Sequence, residues 1–217
     1  MTRARVAVLA SGQGSNLRAL LEACAASDMP AEVVAVLSDR PAAGALDLAR
    51  RAGLPALEIA DPSHGAALTA MLERAGAGLV VLAGYLKLVP GEAVRRYAGR
   101  MLNIHPALLP AFGGAGMYGL RVHRAVLASG ARISGATVHV VDDHYDRGPI
   151  LAQWPVPVHP SDTAETLAAR VLAVEHRLLP AVVRAAARAL ADGGLPGPLR
   201  VRGEAFAPVA TPNVDIE

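Results

Sequence analysis

Residues 5–24 read RVAVLASGQGSNLRALLEAC, and three local signals within them decide the kind of fold. Val6 to Leu9 form an unbroken apolar run of the length expected for a strand buried on both faces. The run ends at Gly12 and Gly14, which let the backbone turn sharply. Leu17, Leu20, Leu21 and Cys24 then recur at helical spacing. Strand, glycine turn and helix together make the first half of a βαβ unit.

The same grammar continues downstream. EVVAVLSD (32–39) reads as a strand, AAGALDLARRAG (42–53) as a helix closed by Gly53, and ALEIAD (56–61) as a short strand. Ser63 to Ala75 reads as a helix with Leu68, Met71 and Leu72 inward, and GLVVLAG (78–84) as a fourth strand, apolar throughout. A short helix near Glu92 to Tyr97 leads to a fifth strand, RMLNIH (100–105). Strand–helix units repeated in this way predict an α/β fold with an open, mostly parallel, twisted sheet of Rossmann-like type and right-handed crossovers.

Past residue 105 the pattern changes. His123 to Ser129 reads as a helix, and the β runs GATVHVVDD (135–143) and GPILAQWPVPV (148–158), separated by HYDRG, predict an antiparallel extension at the C-terminal side. A long helix follows, with Asp162 and Glu165 as its capping box and Leu167, Val171, Val174, Leu178 and Val182 as its buried stripe. DGGLPGP ends it, and LRVRGEAFAPV (199–209) is expected to form a terminal hairpin.

Composition narrows the function classes. The chain has 217 residues, 53% hydrophobic and 18% charged, enough for a sizeable core and unlike a disordered chain. A net charge of +2 is too small for a nucleic-acid-binding surface. A single cysteine, Cys24, excludes an internal disulfide and a cysteine zinc cluster. Lys87 is the only lysine, a compositional bias rather than a functional signal. The apolar run near the N-terminus is too short for a secretion signal, and no segment reaches membrane-spanning length. The expectation is a soluble, cytoplasmic protein with no membrane partner.

The chemistry concentrates in two places. ASGQGSNL (10–17) places glycines and a helix N-terminus together, a cradle for an anion. No Gly-Lys-Ser/Thr follows, and Leu17 stands where a dinucleotide fingerprint would carry its third glycine. A small phosphate therefore fits better than a dinucleotide. Asn103 and His105 lie two apart at a strand end, hence on one face, where open α/β sheets keep their ligands. With a carboxylate from the later β run, Asp143 or its competitor Asp142, they suit acyl transfer: Asn and His can stabilise an oxyanion, and a carboxylate can orient His or a proton-carrying water. No Ser or Cys is placed as a nucleophile, which favours direct transfer. His139, Asp142 and His144 do not read as a metal site, because alternation sends His139 to the opposite face; no metal is expected.

SGQGSNL, VLAGYLKLV, LNIHPALLPAF, SGATVHVVDDHYDRGPI and VEHRLLP occur in this order. Together they closely resemble the folate-dependent phosphoribosylglycinamide formyltransferases of purine synthesis, from about Arg5 to about Asp192. The resemblance implies transfer of a formyl group from 10-formyltetrahydrofolate to the amine of glycinamide ribonucleotide, by a monomer or homodimer. It implies Asn103, His105 and Asp143 as the catalytic set, and Gly12, Gln13, Gly14, Ser15 and Asn16 as the phosphate loop. Glu175 would contact the ribose or amide portion. Leu86, Lys87, Leu88 and Val89 would line the folate pocket, with Asn103 beside them and the backbone of Val140, Val141, Asp142 and Asp143 gripping the pterin. It further implies one domain over residues 1–217: a phosphate- and nucleotide-binding half (1–100), a catalytic and folate-binding half (101–195) and a tail (196–217).

Three departures stand out. GGAGMYGLRVH (113–123) is longer than the loop common in the family, Lys87 replaces a common Arg, and ADPSHGAAL (60–68) lacks the Arg expected near the folate tail. Among relatives, methionyl-tRNA formyltransferase would need a further C-terminal domain, and formyltetrahydrofolate deformylase a regulatory N-terminal domain and a second His where Pro106 stands. The alternatives carried forward are the deformylase and a non-catalytic nucleotide-binding module built on the 12–16 turn.

Overall fold

The computed structural model describes residues 3–197. Thirteen elements follow in chain order: β1 (Ala4–Leu9), α1 (Ser15–Cys24), β2 (Ala31–Ser38), α2 (Gly44–Arg51), β3 (Ala56–Glu58), α3 (Gly65–Arg74), β4 (Leu79–Leu82), α4 (Gly91–Arg96), β5 (Met101–His105), α5 (Leu120–Ala128), β6 (Ile133–Val140), β7 (Ile150–Pro157) and α6 (Ala164–Ala191). The strands form one seven-stranded sheet in the order β3-β2-β1-β4-β5-β6-β7. Pairs from β3 to β5 are parallel, while β5–β6 and β6–β7 are antiparallel. The expected α/β sheet with its antiparallel C-terminal side is therefore what the chain forms. The hairpin expected over 199–209 lies outside the described residues.

Strand alternation divides the core in two. Val6 and Val8 of β1, with Leu79 and Val81 of β4, pack against α1, α2, α5 and α6. Ala7, Leu9, Val80 and Leu82 face the other way, against α3 and α4. From β5 onward the second face loses its helical cover. Leu102, Ile104, Ala136 and Val138 point into the first core, which leaves Asn103, His105, Thr137 and His139 on the opposite face. There the chain covers the sheet with the loop after β5: Leu109 N–H donates to Thr137 Oγ1 at 3.1 Å, and a Cβ on Gly135 would meet Leu108 Cδ2 at 2.7 Å.

The cap of α6 differs from the expected Asp162–Glu165 pair. Thr163 is the N-cap: its hydroxyl accepts from Thr166 N–H at 3.2 Å, and Thr166 Oγ1 accepts from Thr163 N–H at 3.0 Å. Asp162 is committed elsewhere, accepting from both Arg170 guanidinium nitrogens (2.7 and 2.8 Å), from His159 N–H and from the Thr166 hydroxyl. The expected stripe is buried at Leu167, Val171, Leu178 and Val182 and partly buried at Val174. No helix among the described residues is long and apolar enough to cross a membrane.

Candidate active site

A cleft of about 570 Å³ opens at the carboxyl ends of the central strands. β1 and β4 are neighbours there, although the chain between them runs outward to β3. This is the topological switch point, where connections leave in opposite directions and open a crevice. The turn 12–16, the segment 82–89 after β4, the end of β5, the turn after β6 and one side of α6 all line it.

Gly14 caps α1 with φ of 81°, in the left-handed region that side chains disfavour. A Cβ there would lie 2.9 Å from Ala45 Cα, so the glycine also permits α2 to approach. Gly12, Gln13, Gly14, Ser15 and Asn16 all face the cleft, with the free N–H groups of the α1 N-terminus among them. Asn16 Nδ2 donates to Glu175 Oε2 at 2.6 Å, joining this turn to α6. Glu175 is only 6% exposed, and burial pushes its carboxyl up to about 7 against the opposing bond from Asn16. Asn16 Oδ1 is buried without a hydrogen-bond partner among the described residues.

Four side chains meet where β5, β6 and the turn after β6 border the cleft. Asn103 and His105 share a face, as their spacing predicts, and the β5–β6 register sets His139 opposite Asn103. His139 Nδ1 lies 2.9 Å from the Val140 carbonyl, an acceptor only, so this nitrogen carries the proton. In the neutral ring Nε2 is then an acceptor, and it takes a hydrogen from Asn103 Nδ2 at 3.0 Å. Asp146 competes for the same groups: Oδ1 lies 3.3 Å from Asn103 Nδ2 and 3.5 Å from His139 Nε2, and Oδ2 lies 3.5 Å from His105 Nδ1. Gly114 N–H donates to Asp146 Oδ2 at 2.8 Å.

His105 is 3% exposed, and its Nε2 lies 2.9 Å from the Phe112 carbonyl. Two acceptors thus flank a ring whose neutral form has one N–H. Burial lowers its pKa from the ordinary value, against Asp146 and the Phe112 carbonyl, which favour the charged form. With the 2.9 Å bond to Phe112 made at Nε2, the longer contact to Asp146 is the one left short of a proton. Burial works against the Asp146 charge, but His139 with a proton on Nε2, the charge of a protonated His105 and the Gly114 N–H outweigh it, so the carboxyl sits below its usual range.

The carboxylate of this cluster is therefore Asp146, not Asp143. β6 ends at Val140, so the alternation extrapolated to residue 143 no longer applies in the turn. Asp143 is exposed and outside the cleft, with Oδ1 3.1 Å from where a Cβ on Gly91 would stand. Val140 is also misplaced by the sequence reading. It does not border the cleft: the residue is buried, its N–H donates to Pro149 O and its carbonyl accepts from His139 Nδ1. Val141 and Asp142 do border the cleft, as do Leu86, Lys87, Leu88 and Val89. Among the described residues no group of His, Cys, Asp and Glu could hold a metal ion.

Asp146, His139 and His123 were missed as site residues. His123, on α5, is 3% exposed, borders the cleft and has a buried Nδ1 without a partner among the described residues. Tyr85, 7% exposed, carries a hydroxyl in the same condition. The antiparallel pairing of 101–105 with 137–140 would have revealed His139, since it places His139 across from Asn103. No spacing rule reaches Asp146, which lies within an irregular turn.

Residues 4–183 match the formyl transferase family model, so the chain belongs to the formyl transferase family. It is 47% identical over 190 residues to phosphoribosylglycinamide formyltransferase of Mycobacterium tuberculosis, covering 85% of each chain. It is also 47% identical to the chloroplastic enzyme of that name from Arabidopsis thaliana, where the match takes 84% of this chain and 65% of the relative. A solved glycinamide ribonucleotide transformylase from Symbiobacterium toebii superposes with a TM-score of 0.80 at 44% identity, over 86% of this chain and 88% of that one. A formyltetrahydrofolate deformylase from Pseudomonas syringae is more distant: TM-score 0.75, 26% identity, 61% of that chain covered.

Proposed function

We propose that this formyl transferase moves the formyl group of 10-formyltetrahydrofolate to the amine of glycinamide ribonucleotide. The observation that carries the reading is that Asn103, His105 and Asp146 cluster in the same cleft that the glycine turn 12–16 and the largely apolar segment 86–89 line. The 12–16 turn takes the ribonucleotide's single phosphate on backbone N–H groups. Glu175, tied to Asn16, faces the sugar or amide portion. Leu86, Lys87, Leu88 and Val89, with Val141 and Asp142, border the folate side.

The residues divide the chemistry as follows. Attack of the amine on the formyl carbon places negative charge on the formyl oxygen; Asn103 supplies an N–H donor to it, and His105, once protonated at Nδ1, supplies a second in place of its 3.5 Å contact to Asp146, its Nε2–H staying on the Phe112 carbonyl. Asn103 has two N–H groups, and the longer 3.3 Å contact to Asp146 is the one a substrate oxygen replaces. The amine must lose a proton and the folate nitrogen must gain one. Asp146, ionised in the ligand-free cleft, accepts the first, directly or through a water, and returns it to the folate nitrogen as the tetrahedral adduct collapses and its C–N bond to the folate breaks. Residues 1–100 then supply the phosphate turn and 101–195 the catalytic cluster, while 86–89 on the folate side and Glu175 on the ribonucleotide side cross that division.

Mixing the purified protein with glycinamide ribonucleotide and a 10-formyl folate, and following loss of the formyl group by absorbance, tests this. Turnover that depends on the ribonucleotide is expected. Formate release without it would point to the deformylase, and phosphate-ligand binding without turnover to a non-catalytic module.

A further inference from the structure

We propose that Gln153, on the edge strand β7, is a positioning residue for His105, acting through the loop that follows β5; for turnover, the inference rests on the function proposed above. The register aligns His105 with Thr137 and Thr137 with Gln153, so the three stand in one row across β5, β6 and β7. Gln153 Nε2 donates to Leu109 O at 2.8 Å and to Thr137 Oγ1 at 3.1 Å. Thr137, fully buried, donates its hydroxyl to Ala107 O at 2.6 Å and accepts from Leu109 N–H at 3.1 Å. Its one donor and two acceptor positions are thereby filled. Residues 107–109 have no strand partner of their own, and these side-chain bonds take the place of a ladder.

The hold on Leu109 reaches the catalytic ring through packing. A Cβ on Gly113 would lie 2.5 Å from Leu109 Cδ2 and 3.1 Å from Asp146 Cβ, so Leu109 sits directly beneath the segment 112–114. That segment supplies the Phe112 carbonyl to His105 Nε2 and the Gly114 N–H to Asp146. Phe112 holds φ of 57°, uncommon for a residue with a side chain, so its carbonyl direction depends on the support around it. Losing the Gln153 bonds leaves the Leu109 carbonyl unpaired, lets the loop shift, and loosens both contacts at once.

Gln153→Met keeps length and removes the hydrogen bonds; Gln153→Leu removes them with a shorter apolar side chain, and neither adds a charge near His105. The first readout needs no substrate: an NMR titration of the His105 ring in the ligand-free protein. The groups around that ring are Asp146, His139, His123 and the Phe112 carbonyl. Weakening the carbonyl bond should move the His105 titration to lower pH in both variants, with the folded spectrum retained. The second readout is formyl transfer, where kcat should fall about ten- to a hundredfold with both KM values within about twofold. Unchanged His105 titration in a folded variant overturns the proposal, as does a parallel rise of both KM values without loss of kcat. If the wild-type protein transfers no formyl group, the functional reading fails while the titration still decides the role of Gln153. Should Gln153→Met not fold, Gln153→Leu decides by the same two measurements.

Discussion

Asp146 Oδ2 lies 3.5 Å from His105 Nδ1, while the other oxygen of the same carboxylate lies 3.3 Å from Asn103 Nδ2. One carboxylate therefore addresses both side chains that would face the formyl oxygen. Asp146→Asn should lower kcat by about a hundredfold or more, because it removes the proton acceptor and the charge that steadies a protonated His105. Asp143→Asn, outside the cleft, is the control and should stay near wild type. A dead Asp143→Asn beside an active Asp146→Asn would reverse the assignment.

His105→Ala and Asn103→Ala each remove a donor to the developing oxyanion. A loss on the order of a hundred- to a thousandfold in kcat is expected, with modest change in KM. Steady-state kinetics on each single variant would check this, and full activity in either would remove that residue from the mechanism.

The two glycines of the phosphate turn should behave differently. A side chain at Gly14 meets Ala45 Cα and a left-handed backbone, so Gly14→Val should cost at least about 2 kcal/mol of stability, read by urea unfolding. A Cβ at Gly12 meets no atom within 4 Å. Gly12→Ala should fold like wild type, and Gly12→Asp should raise the ribonucleotide KM about tenfold or more by like-charge repulsion, with the folate KM little changed. Equal changes in both KM values would count against the phosphate placement.

Glu175 gives the ligand-free protein a pH signature. Burial raises its carboxyl from 4.5 to about 7, so between those values the folded state holds a proton that the unfolded chain has released. Its contribution is most favourable below pH 4.5 and is lost as the pH rises to about 7, a change on the order of 3 kcal/mol at most. Glu175→Gln keeps an oxygen for Asn16 and cannot ionise. Its stability relative to wild type should therefore improve from pH 5 to pH 8 in paired thermal or urea unfolding; a constant difference would place the ionisation elsewhere.

Asp162 has the opposite sign. The Arg170 pair holds its carboxyl well below the ordinary value of 3.8, so its stabilisation is present above that value and is lost as the pH falls through the folded one. Asp162→Asn should cost about 2 kcal/mol at neutral pH, and the gap to wild type should close in acid. A gap that does not narrow at all between pH 5 and pH 2 would mean the loss is one of packing at the start of α6.

The alternation of strands and helices was legible because each signal is local. A glycine turn, a period of 3.6 and an apolar run depend on residues a few positions apart, and β1, the turn and α1 follow from residues 5–24 alone. Asn103 and His105 were legible for the same reason, since two positions on one strand share a face whatever lies beside it. Asp146 was not. Its place depends on where β6 ends and how the turn 141–149 folds back, and side-chain direction in a turn has no period to extrapolate. His139 needed the antiparallel register with β5, and the Asn16–Glu175 bond joins residues 159 positions apart. Local sequence selects the elements because their backbone hydrogen bonds and apolar faces are set within a few residues. The cleft's acid–base groups come together only where separate elements meet, and that meeting is set by packing and register across the whole sheet.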